Sequence, residues 1–143
     1  MNASIVRAVL ILVVWHLAPI QASTLLTPIG GGGEHSLFLK PDGSLWAAGD
    51  NASGQLGDGT FHNTNKLERI VGSNVVAVAA GGNHSLFLKS DGSLWAMGDN
   101  SYGQLGDGTF NSTNQPEQIV SGGVVAISAG VSHSLFVKSD GSL

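Results

Sequence analysis

Three histidines, His35, His84 and His133, stand 49 residues apart (84 − 35 and 133 − 84), and each opens the same word, His-Ser-Leu-Phe. Imidazoles are the usual general bases and metal ligands, so the set invites a catalytic or three-histidine metal reading. The acids recur at the same interval: Asp42, Asp91 and Asp140, then Asp50 with Asp99, then Asp58 with Asp107. Together with Asn51, Asn100, Gly59 and Gly108 they offer oxygen ligands of the kind calcium takes, but without the EF-hand spacing or its closing Glu. Catalysis needs one site with a base, a nucleophile and an orienting group, whereas these residues are copied into every repeat. A metal would need the three imidazoles within about 4 Å of one point. Residues repeated at fixed spacing are read more simply as parts of the repeat: hydrogen-bonded histidines, Asx turns and positive-φ glycines. No catalytic, cofactor-binding or metal-ligating residue is expected.

The elements that carry these residues follow from the repeat itself. The stretch from His84 to Thr109 repeats that from His35 to Thr60 nearly word for word, and a third copy starts at His133. A period of this size marks a propeller or solenoid. In the best copy the sequence predicts strands over Val75–Ala80, His84–Lys89 and Ser93–Met97, with Ser90-Asp91-Gly92 as a tight turn. A long loop from Gly98 to Asn114 leads to a fourth strand near Gln115–Val120, where Pro116 points to a sheet edge. Val75–Ala80 and Leu86-Phe87-Leu88 are apolar without alternation, the pattern of strands buried on both faces. The first copy replaces its leading strand by Thr24 to Gly33, with Pro28 and four consecutive glycines, a poor strand interior. Trp46 and Trp95 fall in the third strand of their copies and are expected to be core rather than ligand-stacking platforms.

The run from Val78 through Gly81, His84-Ser85-Leu86, Asp91-Gly92, Leu94-Trp95, Gly98, Asn100 and Gly103-Gln104-Leu105-Gly106 resembles the regulator of chromosome condensation repeat. The first copy matches from His35 and the third over Ile127 to Val137. The resemblance implies a β-propeller of about seven four-stranded blades. The fold expected here is therefore all-β, a partial propeller of about two and a quarter blades. The expected division is a leader over 23–33, then repeats over 34–82, 83–131 and, in part, 132–143. Propellers need about four to eight blades. The chain thus reads as the N-terminal piece of a longer protein, or as one needing further blades or copies to close the ring.

Residues 1–22 read as a signal peptide: Arg7, an apolar run from Ala8 to Leu17, and a small residue, Ala22, at the cleavage position. They predict a secreted or periplasmic protein, off the membrane once cleaved. The 143 residues contain no cysteine, carry a formal charge of −4 and show no Lys/Arg cluster, which excludes disulfides and thiolate sites and disfavours nucleic-acid binding. Sequons occur at Asn51, Asn83 and Asn111. The copies differ mainly in and just after the long loop, at Ser53, His62, Asn63, Lys66 and Arg69 against Tyr102, Asn111, Ser112, Gln115 and Gln118. Exposed, variable positions on a rigid scaffold suit partner recognition, so these are the candidate partner-binding residues. The resemblance includes secreted bacterial propellers that bind other proteins, β-lactamase inhibitors among them. The expected function is an exported, non-enzymatic protein-binding scaffold with an unidentified protein partner. The alternatives are a guanine nucleotide exchange regulator, as the family name implies, and a propeller enzyme acting outside the cell.

Overall fold

The computed structural model describes residues 28–143; the signal peptide expected over residues 1–22 lies outside them. Ten strands form three antiparallel sheets. The first holds β1 (Ile29–Gly31), β2 (His35–Leu39), β3 (Leu45–Gly49) and β4 (Thr64–Val71) in that order. The second holds β5 (Val75–Ala80), β6 (His84–Lys89), β7 (Leu94–Gly98) and β8 (Thr113–Val120), and the third is the pair β9 (Val124–Ala129) and β10 (Ser134–Lys138). Helices are absent among the described residues, so none is long and apolar enough to cross a membrane. The all-β, bladed architecture expected from the repeat is the one observed.

The strands fall where the apolar runs are, because the turn chemistry between them is strict. After β6, Gly92 sits at φ 79° and its N–H donates to the Lys89 carbonyl at 2.9 Å. Asp91 Oδ1 accepts from both the backbone N–H (2.9 Å) and the hydroxyl (2.6 Å) of Ser93. That hydroxyl oxygen then accepts the Trp95 indole N–H at 2.9 Å. Asp42, Gly43, Ser44 and Trp46 repeat the arrangement in the first sheet.

Val75–Ala80, expected as the first strand of the best copy, pairs with β6 and opens the second sheet, so sheets begin before the histidines from which the repeats over 34–82 and 83–131 are counted. The blade boundaries therefore lie at the β4–β5 and β8–β9 connections. The glycine-rich leader over 23–33 also yields a strand: Ile29–Gly31 pairs with Ser36–Phe38, shortened to three residues but in register. A glycine backbone can still complete a ladder whose partner strand is already fixed. Pro116 lies in β8, at the outer edge of its sheet, where a missing N–H costs no ladder bond.

Consecutive sheets pack face to face. Leu37, Leu39, Leu45, Ala47 and Leu56, on the forward face of the first, are buried against Val75, Phe87 and Met97 on the rear face of the second. The same contact recurs one repeat on, with Leu86, Leu88, Leu94, Ala96 and Leu105 against Val124, Ile127 and Phe136. This explains the absence of alternation: in β6, Leu86 and Leu88 look forward and Phe87 looks back, and all three are buried. Each fully buried side chain of this size contributes roughly 1.5–3 kcal/mol.

Candidate functional site

The repeated histidines lie between blades. His35 Nε2 is 2.9 Å from Ser85 Oγ in the next sheet, and Ser85 Oγ donates to the Gln55 carbonyl at 2.7 Å. Since the serine proton goes to that carbonyl, the serine oxygen must accept, and His35 is the tautomer protonated on Nε2. Its Nδ1 is buried without a partner, facing Gly32, whose Cα leaves no room for a Cβ. His84 repeats the pattern with Ser134 (3.0 Å), and Ser134 donates to the Gln104 carbonyl (2.6 Å). Burial, reinforced by the neighbouring His84, lowers the His35 pKa to about 4, against the opposing pull of Asp50. Burial also lowers that of His84. These imidazoles are neutral, each holding one blade to the next.

The long loops are equally built in. The Asn51 side chain is fully buried and both its polar atoms are hydrogen-bonded: Oδ1 accepts the Leu56 N–H at 3.0 Å, and Nδ2 donates to Asp58 Oδ1 (3.0 Å), the Thr60 carbonyl (3.2 Å) and its hydroxyl (3.3 Å). Asn100 makes the equivalent set with Leu105, Asp107 and Thr109. An amide donor therefore occupies the carboxylate that calcium would need, and among the described residues no three His, Asp or Glu side chains converge on one point. The sequon at Asn51 is closed to modification in the folded chain for the same reason.

Of the residues that differ between copies, His62, Asn63, Lys66 and Arg69, and likewise Tyr102, Asn111, Ser112, Gln115 and Gln118, are exposed, while Ser53 is half-buried. Lys66 and Arg69 lie on β4 and Gln115 and Gln118 on β8, the outer strands, rather than in the loops. Asn63 and Ser112 have a second duty. Asn63 Oδ1 accepts the Asn51 N–H (2.8 Å) and Ser112 Oγ accepts the Asn100 N–H (3.1 Å), so the types differ but an acceptor is kept. Loop and neighbouring blade are tied by a backbone bond from Gly59 N–H to the Asn114 carbonyl (2.8 Å) and by Asn114 Nδ2 to the Gly59 carbonyl (2.9 Å). The variable residues of successive blades thus share one rim.

Trp46 and Trp95 are half-buried, Trp95 packing against the core between the first two sheets, with Lys40 Nζ 3.6 Å and Lys89 Nζ 4.0 Å from the ring centroids. Trp95 stacks on Phe87 at a 6.0 Å centroid separation. Sequence reasoning also passed over Phe61 and Phe110, which are 54% and 72% exposed; Phe110 lies beside Gly103, which follows the 76% exposed Tyr102. The signal was an aromatic in a turn-rich loop, masked because both copies carry it. A cleft of about 190 Å³ between the second sheet and the β9–β10 hairpin is rimmed by Tyr102, Leu105, His133 and Phe136. Between the first two sheets the equivalent space is filled by Met97, packed on Gly57. The cleft is a blade interface and not a ligand pocket.

The regulator of chromosome condensation (RCC1) repeat model matches residues 42–88 and 91–137, and a second RCC1 repeat model matches residues 75–104. The chain belongs to the RCC1 repeat family. No curated protein sequence matches it significantly. Human WBSCR16 is similar in structure, with a TM-score of 0.68 and 29% identity over 78% of this chain and 31% of that one. Prp20p of Saccharomyces cerevisiae, described with its binding properties to Gsp1p and histones, matches with a TM-score of 0.68 and 27% identity over 78% of this chain and 28% of that one. Yeast RCC1 (Prp20) bound to Kap60 matches with a TM-score of 0.66 and 27% identity over 78% of this chain and 30% of that one. The RCC1-type chain thus spans about three tenths of the length of these solved relatives. Its repeated His35 and His84 are spent on joining one blade to the next, and its repeated Asn and Asp residues on the loops and turns within each blade.

Proposed function

We propose that this RCC1-type protein is an exported, non-enzymatic scaffold that binds a protein partner through its outer rim. One observation carries the reading. Exposed side chains differ between otherwise duplicated blades at His62, Lys66 and Arg69 against Asn111, Gln115 and Gln118, and they flank exposed aromatics at Phe61, Tyr102 and Phe110. Rigid aromatics beside adaptable polar groups are what protein interfaces favour. Yeast Prp20p, described with its binding to Gsp1p and histones and seen bound to Kap60, supports the class of partner. The apolar segment from Ala8 to Leu17 supports export.

The test pairs location with binding. Fractionation of the producing cell is expected to recover a chain outside the cytoplasm whose N-terminus lies after Ala22. Extracytoplasmic protein retained stoichiometrically by that chain is expected to be lost by a Tyr102→Ala/Phe110→Ala variant with an unchanged circular dichroism spectrum. Retention of the same proteins by the variant would overturn the rim reading, and an uncleaved cytosolic chain would overturn export. The second reading, regulation of a small GTPase, rests on the likeness to Prp20p and would be favoured by that cytosolic outcome.

A further inference from the structure

The outer edge strands β4 and β8 occupy equivalent places 49 residues apart, but Leu67 stands where β8 has Pro116. Both strands bulge at this point. Ala47 pairs with Glu68 and Gly49 with Thr64, so Asn65, Lys66 and Leu67 stand opposite Ala48 alone, as Asn114, Gln115 and Pro116 stand opposite Met97. A position that takes proline gives no N–H to the neighbouring strand, so the Leu67 N–H is free of β3. Leu67 is 48% exposed, Lys66 is exposed and Glu68 is half-buried. Proline is one of the usual guards of a sheet edge, and β4 lacks it. A neighbouring blade does not cover this edge. Against β8 the loop of the preceding blade is in place, bonded from Gly59 to Asn114, and Gln115, Glu117 and Gln118 are still exposed.

We propose that the β4 edge pairs antiparallel with the β4 edge of a second copy of this chain, about a two-fold axis centred on Leu67. The charges of the strand select both the occupant and the register. Centred on Leu67, Lys66 of each copy lies opposite Glu68 of the other, and opposite charges across a strand pair are favourable. Centred one residue earlier or later, Lys66 would oppose Lys66, or Glu68 would oppose Glu68, and like charges directly opposite are unfavourable. The free N–H of each Leu67 then donates to the Leu67 carbonyl of the other copy, as in a hydrogen-bonded antiparallel pair. β8 cannot do the same: its equivalent stretch is Gln115-Pro116-Glu117, with no N–H at the centre and no cation to face the acid. The contact is the same patch on both copies, so it closes at a dimer. Tyr102 and Phe110 take no part, and the pairing stands or falls independently of partner binding through them.

The test is sedimentation of the full chain across a concentration series, with Leu67→Pro, Lys66→Glu and Glu68→Lys variants. β8 already accommodates proline at the position of Leu67, and an unchanged circular dichroism spectrum checks that β4 does so too. The parent is expected to pass from one copy to two as concentration rises, and Leu67→Pro to remain a single copy. Lys66→Glu alone and Glu68→Lys alone place like charges opposite each other at two pairs, and each is expected to dimerise at least about threefold more weakly than the parent. An equimolar mixture of those two variants restores both opposite-charge pairs and is expected to dimerise as the parent does. A parent that stays at single-copy mass at every concentration overturns the proposal. So does association that Leu67→Pro leaves intact, because the contact then lies elsewhere. A mixture no stronger than its separate components overturns it as well, and does so even if Leu67→Pro fails to fold.

Discussion

Acidification from pH 7 to pH 4.5 tests the inter-blade histidines without altering the chain. Folding holds the His35 pKa at about 4, against 6.5 for the free side chain. Between those values the unfolded chain takes up a proton that the folded chain refuses. Stability is then complete above pH 6.5, falls as pH drops through the window, and levels off below about 4. One pKa unit corresponds to about 1.4 kcal/mol, so the full displacement corresponds to roughly 3 kcal/mol; residual solvent access at the blade junction reduces this to about 2 kcal/mol. The physical cause is visible: a proton on Nδ1 would sit against Gly32 with no acceptor. His84 is shifted the same way and adds to the slope. Asp42, Asp91 and Asp107, held below the usual 3.8 first by hydrogen bonds from Ser44, Ser93 and Thr109, act in a separate window. Their contribution is present above pH 3.8 and lost only below it. Urea midpoints at pH 7, 6, 5 and 4.5 give the slope, and an NMR titration of the imidazole Cε1–H signals assigns it. Flat stability between pH 7 and pH 5, or a His35 signal titrating near 6.5 in the folded chain, would refute the reasoning.

Other substitutions separate structure from recognition. Gly81→Ala places a Cβ 2.2 Å from the His84 ring and 2.6 Å from the Gly130 carbonyl, and is expected to cost about 1–3 kcal/mol in urea unfolding, or more if the blade cannot shift. Asn100→Ala strands the buried Leu105 N–H and removes the tie to Asp107 and Thr109, with an expected loss of about 2–4 kcal/mol by the same assay. Ser85→Ala leaves the His35 N–H and the Gln55 carbonyl unpaired in a fully buried place, whereas Ser134→Ala does so where water has access. The first is expected to lower the unfolding free energy by at least about 1 kcal/mol more than the second. Tyr102→Ala, at a 76% exposed position, is expected to change stability by less than about 0.5 kcal/mol.

Much of the fold is legible in the sequence because its two strongest signals are local. The Asp-Gly-Ser turn sets where β6 ends and β7 begins, and continuous apolar runs mark strands covered on both sides. Pro116 marks the edge strand for a reason confined to one residue. What could not be read depends on contacts across blades. The partner of His35 is Ser85, 50 positions away, and nothing in the word His-Ser-Leu-Phe shows that its serine serves the histidine of the preceding copy. The need for Gly32 and Gly81 arises from an imidazole pressed against the Cα, with no positive φ to announce it. The strand at Ile29–Gly31 was obscured by its glycines, because its pairing is imposed by β2 and not by its own propensity. The candidate rim was half legible: variation between copies marked Tyr102 and Arg69, but the shared exposed ring at Phe61 and Phe110 shows only in the accessible surface.

The repeated histidines and serines join one blade to the next. A double-mutant cycle between His35 and Ser85 measures that link itself. With His35→Ala, Ser85→Ala and the double variant compared by urea unfolding at pH 7, the account predicts a coupling of at least about 1 kcal/mol across the two sheets. Losses that add to within about 0.3 kcal/mol would contradict it.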